Sequence, residues 1–233
     1  MKIAFRVTPF ILCLLACTVQ SWAQWIQTNG PEGGRIASLA AIGTDIFAGT
    51  RYHGAFRSSD RGLSWVPVSV GFENDEILSM MAKDSFLYAG VPNRGLFVSS
   101  DRGDHWTSAN VGLTAADLHD FAVIDSFIFV VSNSKGVFRT SNGGASWENV
   151  NGTVLDYREF TCLCASGSRL FAGGQSGVYA SSDYGLSWSE VNEGLTQWSI
   201  RDIAVIDSHL FAASYLGGVF MSTDNGAHWS LKG

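Results

Sequence analysis

The sequence has little of what metal-bearing or catalytic chains usually show. Of its 233 residues only four are cysteines, and two of these, Cys13 and Cys17, fall in the first segment. Cys162 and Cys164 remain. Two residues apart on a strand, they would point along one face at the edge of the Cα separation a disulfide permits, so buried free thiols are expected. The five histidines are scattered, and no Cys or His pair stands at ligand spacing, which argues against zinc. There is no Gly-rich phosphate loop ending in Lys-Ser/Thr, no Gly-x-Ser-x-Gly elbow and no His-Glu-x-x-His pair. No cofactor or metal is expected. A sustained 3.6-residue apolar stripe is also missing, which argues against helical solenoids.

The apolar run from Phe10 to Cys17 is too short to span a bilayer. With Lys2 and Arg6 before it and Ser21-Trp22-Ala23 after it, residues 1–23 read as a signal peptide cleaved before Gln24, leaving 24–233 as a single exported domain. Leu14-Leu15-Ala16-Cys17 also resembles a lipobox, in which case Cys17 would carry a lipid anchor. Either route leads to secretion or to the cell envelope, at the periplasm or the cell surface. Removing Lys2 and Arg6 leaves 13 of the 15 basic residues against 21 acidic ones, a net charge of −8. Such a chain repels phosphate backbones, so nucleic acid is not an expected partner. Its 46% apolar content is that of a globular protein.

What the sequence does have is a regular internal repeat. Trp65, Trp106, Trp147, Trp188 and Trp229 are spaced by 41 residues, as are Asp60, Asp101, Asn142, Asp183 and Asp224, and Gly62, Gly103, Gly144, Gly185 and Gly226. The octapeptides around them read SSDRGLSW, SSDRGDHW, TSNGGASW, SSDYGLSW and STDNGAHW. Each unit carries short β-branched or aromatic runs, such as Leu78 to Lys83, Phe86 to Ala89, Leu96 to Ser99 and Trp106 onward, separated by Gly, Asn, Asp and Ser. Four strands of about five residues plus turns fill 41 residues, the span of a propeller blade. The expected fold is therefore all-β: a β-propeller of four-stranded antiparallel blades.

The octapeptides resemble the Asp-box, Ser/Thr-x-Asp-x-Gly-x-Ser/Thr-Trp, of sialidases, sortilin-type receptors, xyloglucan-cleaving hydrolases and photosystem II stability/assembly factor-like proteins. The whole repeat, which in the fifth unit reads SIRDIAVIDSHLFAASYLGGVFMSTDNGAHW, is similar to the last of these as they occur in secreted bacterial proteins. Asn142 departs from the pattern, as do His105 and His228 before Trp. Inside the octapeptide the glycines are expected at positive φ, the carboxylates as acceptors for turn N–H groups, and the Trp rings against the neighbouring sheet. A structural role is thus expected for all fifteen residues.

Trp25-Ile26-Gln27 resembles the outer-strand starts at Trp65 and Trp147, so the domain is expected to open with an outer strand followed by five units. That count suggests an incomplete ring from a propeller of six to eight blades, with a five-bladed ring and a frayed leader as the alternative. Unclosed ends are expected to expose sheet edges.

The loops joining second to third strands, and fourth strands to the next first strand, should share one rim opposite the octapeptides. This rim varies between units, and variation on a fixed scaffold is where binding is expected. Tyr52, His53, Arg94, Tyr157, Arg158, Trp198 and Tyr215 are the candidates, for a protein or glycan partner. Packing of the aromatics on their own loops and ordinary surface charge are the competing readings. Asp120 and Asp202, with Ser38 and Ser79 at equivalent positions, should line the axis, as water or ion ligands or as satisfied carboxylates. A sialidase-like or xyloglucanase-like hydrolase fragment is the alternative function. However, Arg35-Ile36 is followed by Ala37 rather than Pro, and no carboxylate pair among Glu73, Asp75, Asp156 and Glu159 is marked by the sequence. A non-catalytic binding or scaffold module is the expected function.

Overall fold

A computed structural model describes residues 28–31, 35–72, 75–155 and 158–232. The expected signal peptide, the alternative anchor at Cys17, the expected leading strand at Trp25, Glu73, Asp156 and the candidate Tyr157 lie outside the described residues.

The described chain forms five four-stranded antiparallel sheets and no helix. The first unit contains β1 (Ile36–Ile42), β2 (Asp45–Thr50), β3 (Ala55–Ser58) and β4 (Val66–Pro67); the second contains β5 (Ser79–Lys83), β6 (Phe86–Val91), β7 (Gly95–Ser99) and β8 (Thr107–Ser108). The third has β9 (Leu118–Ile124), β10 (Phe127–Ser132), β11 (Gly136–Thr140) and β12 (Glu148–Asn149). The fourth has β13 (Phe160–Ser166), β14 (Arg169–Gly174), β15 (Gly177–Ser181) and β16 (Ser189–Glu190). The fifth has β17 (Ile200–Ile206), β18 (His209–Ser214), β19 (Gly218–Ser222) and β20 (Ser230–Leu231). In every sheet the strands lie in chain order. This is the expected β-propeller architecture.

Two local devices set the shape of each sheet. The first hairpin turns in two residues, the first of them at positive φ: Gly43, Asp84, Asp125, Gly167 or Asp207. Glycine and aspartate tolerate that conformation best. The innermost strand carries a bulge in four units, at Ala37, His119, Thr161 and Arg201, where the register against the second strand slips. A bulge bends the strand and re-aims the extra side chain.

The core lies between sheets rather than within one. Each of the four apolar clusters joins consecutive units. Phe47 and Ala55 of the first meet Ile77, Met80 and Leu87 of the second, and Tyr88 and Leu96 meet Leu118, Ile128 and Phe138. Phe129 and Val137 then meet Phe160, Leu163 and Tyr179, and Phe171 and Val178 meet Ile200, Leu210 and Phe220. Alternation along the strands sends one set of side chains forward and the other back. Each large side chain buried in this way contributes roughly 1.5–3 kcal/mol.

Two expectations change. The outer strands pair over two residues each, not about five. Each of these short ladders closes on one further backbone bond, donated by Val68, Ala109, Val150 and Val191 to the carbonyls of Ala55, Leu96, Val137 and Val178. The ends of the array expose sheet faces rather than edges, because blades stack face to face. The inner strands pack in series from β1 through β5, β9 and β13 to β17, and β17 makes no comparable contact with β1. Accordingly Val219 is 40% exposed whereas its counterparts Ala55, Leu96, Val137 and Val178 are fully buried, and Leu39 is 63% exposed at the other end.

The fourth unit hides a compensation. One extra residue precedes β13 relative to β9 and β17, and the loop between β14 and β15 has two residues where the second, third and fifth units have three, so the tryptophan spacing stays at 41.

Candidate functional site

The rim of octapeptide turns is saturated by its own hydrogen bonds. In the first unit Asp60 accepts from the Ser64 amide at 2.9 Å, the Ser64 hydroxyl at 2.6 Å and the Ser58 hydroxyl at 2.8 Å, while the Gly62 amide donates to Ser58 Oγ at 2.8 Å. Asp101, Asp183 and Asp224 repeat the pattern, with His105 and His228 supplying Nδ1 in place of the hydroxyl. Asn142 keeps it without charge, accepting from the Ser146 amide and donating to Ser146 Oγ. Gly62, Gly103, Gly144, Gly185 and Gly226 all have φ between 87° and 93°. These bonds hold the carboxyls of Asp60, Asp101 and Asp224 down at about 2. The largest cause is the Ser64 hydroxyl for Asp60, and the backbone amides of His105 and His228 for the other two. Asp183 is lowered in the same way.

The tryptophans clasp one unit to the next. Trp106, Trp188 and Trp229 donate Nε1–H to the carbonyls of Val68, Val150 and Val191, each in the preceding unit, at 2.7–2.8 Å. Trp147 packs into the corresponding cluster, but its buried Nε1 finds no acceptor among the described residues. The repeated acceptors of this rim are thus taken up by the turns themselves, while Leu63 and Leu186 stay exposed beside them.

The opposite rim has a constant frame and variable tips. The frame includes a side chain the sequence reading passed over: Asn110, Asn151 and Asn192. Their Oδ1 atoms accept from the amides of Leu96, Val137 and Val178 at 2.6–2.7 Å, and Nδ2 donates to the carbonyls of Arg94, Lys135 and Ser176. Each asparagine pins the loop between the second and third strands. The signal was available, since the three are spaced by 41. In the first unit Ser69 stands there instead, its buried Oγ without a partner among the described residues.

The candidates divide on this frame. Arg94 is a brace: it pairs with Asp75, donates to the Gly71 carbonyl at 2.9 Å and lies over the Phe97 ring at 5.0 Å. Arg158 is half-buried, donating to the Val154 carbonyl at 2.9 Å and covering the Tyr179 ring at 4.9 Å. Tyr52 and His53 are exposed on the first unit, with the His53 amide tied to Thr50 Oγ1 at 2.9 Å. Trp198 and Tyr215 are 53% and 63% exposed, on loops joined by the Tyr215 amide, which donates to the carbonyl of Ser199 at 2.8 Å. Trp198 is steadied by Nε1–H to the Leu195 carbonyl at 3.2 Å. Arg201, at the bulge of β17, stacks on Tyr215 at 4.6 Å. Sequence reading missed Arg201, since a bulge is not visible in the alternation pattern.

On the axis, Asp120 is a satisfied carboxylate. It accepts from the Phe121 amide at 2.8 Å and from the Leu163 amide of the next unit at 2.8 Å, and burial pushes its carboxyl up to about 6. Ser79 makes an analogous bridge, donating to the Leu118 carbonyl at 2.8 Å. Asp202 is exposed and accepts only the Ile203 amide among the described residues. Cys162 and Cys164 are free thiols, and burial raises both, Cys164 to about 11. Among the described residues no group of three or more His, Cys, Asp or Glu is placed to hold a metal ion, and no helix is long and apolar enough to cross a membrane.

Comparison with known proteins supports this architecture. A family model described as the DUF6242 beta propeller domain matches residues 119–232, just under half of the chain. Among curated proteins no sequence match is found. The computationally designed Ika8 protein superposes with a TM-score of 0.65 at 12% identity, over 88% of this chain and 63% of that one. YCF48 bound to D1 peptide superposes with a TM-score of 0.63 at 18% identity, over 84% of this chain and 66% of that one. The GH74 xyloglucanase from Xanthomonas campestris does so with a TM-score of 0.64 at 18% identity, over 84% of this chain and 38% of that one. The chain thus spans less than two thirds of the length of each of these three structures. At such identities the likeness is one of fold, shared by a designed protein, a peptide-bound protein and a hydrolase, and the fold is that of a β-propeller.

Proposed function

We propose that this chain is an exported, non-catalytic binding or scaffold module that engages a protein or glycan partner through its variable rim. The observation that carries this reading is the joint exposure of Trp198 and Tyr215 on loops whose backbones are pinned. Large aromatic surface left in water on a rigid frame is the usual mark of a recognition site. On the octapeptide rim the turn carboxylates and Asn142 are instead taken up by internal bonds. The peptide-bound relative of fold supports the reading by analogy only.

Binding of the purified domain to peptide and glycan arrays tests it. The Trp198→Ala/Tyr215→Ala double variant is expected to lose the captured signal with an unchanged melting temperature. Retention by the double variant would remove the rim corner as the site. Turnover of xyloglucan or a sialoside by the wild-type chain would replace the binding module with a hydrolase.

A further inference from the structure

On the octapeptide rim the fourth residue of each octapeptide, at positive φ, reaches back towards the first hairpin of the preceding unit. Between the first and second units this residue is Arg102, which pairs with Asp45 at 2.7 Å, while Arg57 donates to the Arg102 carbonyl at 3.1 Å. Between the third and fourth it is Tyr184. The Tyr184 ring lies 5.1 Å from that of Phe127, its hydroxyl donates to Asp125 at 3.0 Å, and Arg139 donates to its carbonyl at 2.8 Å. Between the fourth and fifth, Arg169 donates to the Asn225 carbonyl at 3.0 Å.

The junction of the second and third units lacks both large side chains. Gly143 stands where the fourth unit has Tyr184, and Val98 stands where the third has Arg139. The Gly143 carbonyl is met instead from within, by the hydroxyl of buried Tyr88 at 3.1 Å. The turn is held, but the space above it is left open as a shallow pocket of about 470 Å³, lined among others by Phe86, Val98, Val111 and Gly143. Phe86 is 41% exposed, whereas Phe127 against Tyr184 is partly buried. Described units flank this junction on both sides, so the opening belongs to the junction itself.

The groups that receive Tyr184 are duplicated here. Phe86 begins its strand as Phe127 does, and Asp84 holds the place of Asp125 in the hairpin turn, with φ of 56° and 54°. Asp84 is 79% exposed and pairs with adjoining Lys83 at 3.2 Å. A phenol combines a rigid apolar ring with one directed donor, and so needs an apolar wall beside an acceptor. Both are present, and the tyrosine is not. A cation of the Arg102 kind would find Phe86 at the strand position where Asp45 serves the first unit.

The geometry points to a binding site for a tyrosine side chain of a partner protein in this pocket, its ring on Phe86 and Val111 and its hydroxyl donating to Asp84. The partner supplies from outside what Tyr184 supplies from within the chain. This site goes beyond the loop-rim reading and does not rest on it.

A displayed library of random octapeptides panned on the full chain tests the assignment. Wild-type protein is expected to enrich peptides containing Tyr, and synthetic versions should bind about 10-fold more weakly when that Tyr is replaced by Phe or when Asp84 is replaced by Asn. Phe86→Ala should weaken them by about 10-fold as well. Gly143→Tyr is the decisive variant, because it fills the pocket from within. The backbone there has φ of 68°, close to the 58° of Tyr184, and a Cβ would meet Tyr88 Oη at an ordinary 3.8 Å. It should fold and lose the peptides; if it does not fold, Phe86→Ala and Asp84→Asn decide. Trp198→Ala/Tyr215→Ala should bind them as wild type does. A library that enriches nothing, or peptides without Tyr, overturns the site, as does equal binding by Gly143→Tyr. Loss of the peptides from the Trp198→Ala/Tyr215→Ala variant moves them to the loop rim and overturns it too. Self-association in sedimentation that Gly143→Tyr abolishes, with no peptide captured, makes a second copy the occupant in place of a partner.

Discussion

On the octapeptide rim the five units repeat one turn pattern, varied only at Asn142, His105 and His228, whereas on the opposite rim no two loops carry the same residues. Both rims are nonetheless anchored. Turn carboxylates and tryptophans secure the first, and Asn110, Asn151 and Asn192 secure the second. Backbone anchoring is therefore found on both, and what differs is what the side chains left after anchoring expose. On the octapeptide rim the turn carboxylates have none; on the loop rim the rings of Trp198 and Tyr215 stay exposed.

The sharpest test of this contrast is truncation of a clasp. Trp188→Ala removes a buried ring and its bond to Val150 and should lower the unfolding free energy by about 3–5 kcal/mol in a urea titration. A change no larger than that of a surface substitution would mean that the units do not depend on their clasps. Next in size is Asn151→Ala. Val137 and Lys135 would lose their partner in a buried setting, at a cost of about 1–3 kcal/mol by the same measurement. If the loop rim were merely loose coil, Asn151→Ala would be silent.

Acid should distinguish the rims more gently. Asp60, Asp101 and Asp224 are held at about 2 in the folded chain, below their ordinary 3.8. Their stabilisation is complete above the ordinary value and disappears as pH falls through about 2. Asn142 cannot titrate, so Asn142→Asp should steepen the acid limb of a melting-temperature profile. His228 works in the opposite sense. Its bond to Asp224 raises its pKa, so its contribution is full below 6.5 and fades as pH rises through the raised value. Asp224→Asn should flatten both limbs, and a profile unchanged on either side would show that the fifth turn is not held by charge. The smallest effect is expected where function is proposed: Trp198→Ala/Tyr215→Ala should shift stability by no more than about 0.5 kcal/mol.

Much of this was readable from the chain alone. A period of 41 in Trp, Asp and Gly is enough to set the blade, because one residue at positive φ and one buried ring per unit leave few alternative foldings. The positions of Trp198 and Tyr215 on the loop rim followed from the same count. The engagement of Arg94 and Arg158 did not, because a cation bound to a backbone carbonyl and a ring looks in sequence like any exposed one. Arg201 escaped for a different reason: it lies at a bulge within a strand, which the alternation of residue types does not show. Asn151 and its two counterparts carried the periodic signal openly, but their partners are backbone groups, and backbone groups leave no trace in residue types.

The fourth unit shows how such a rim can change. A residue gained ahead of β13 is offset by one lost between β14 and β15, and the sheets on either side share one pairing pattern, with the same bulge in their innermost strands. Insertions and deletions are thus absorbed within a single module and do not propagate around the array. Loops here can be rewritten as independent cassettes, so a repertoire of binding surfaces is open to this scaffold at little risk to its folding.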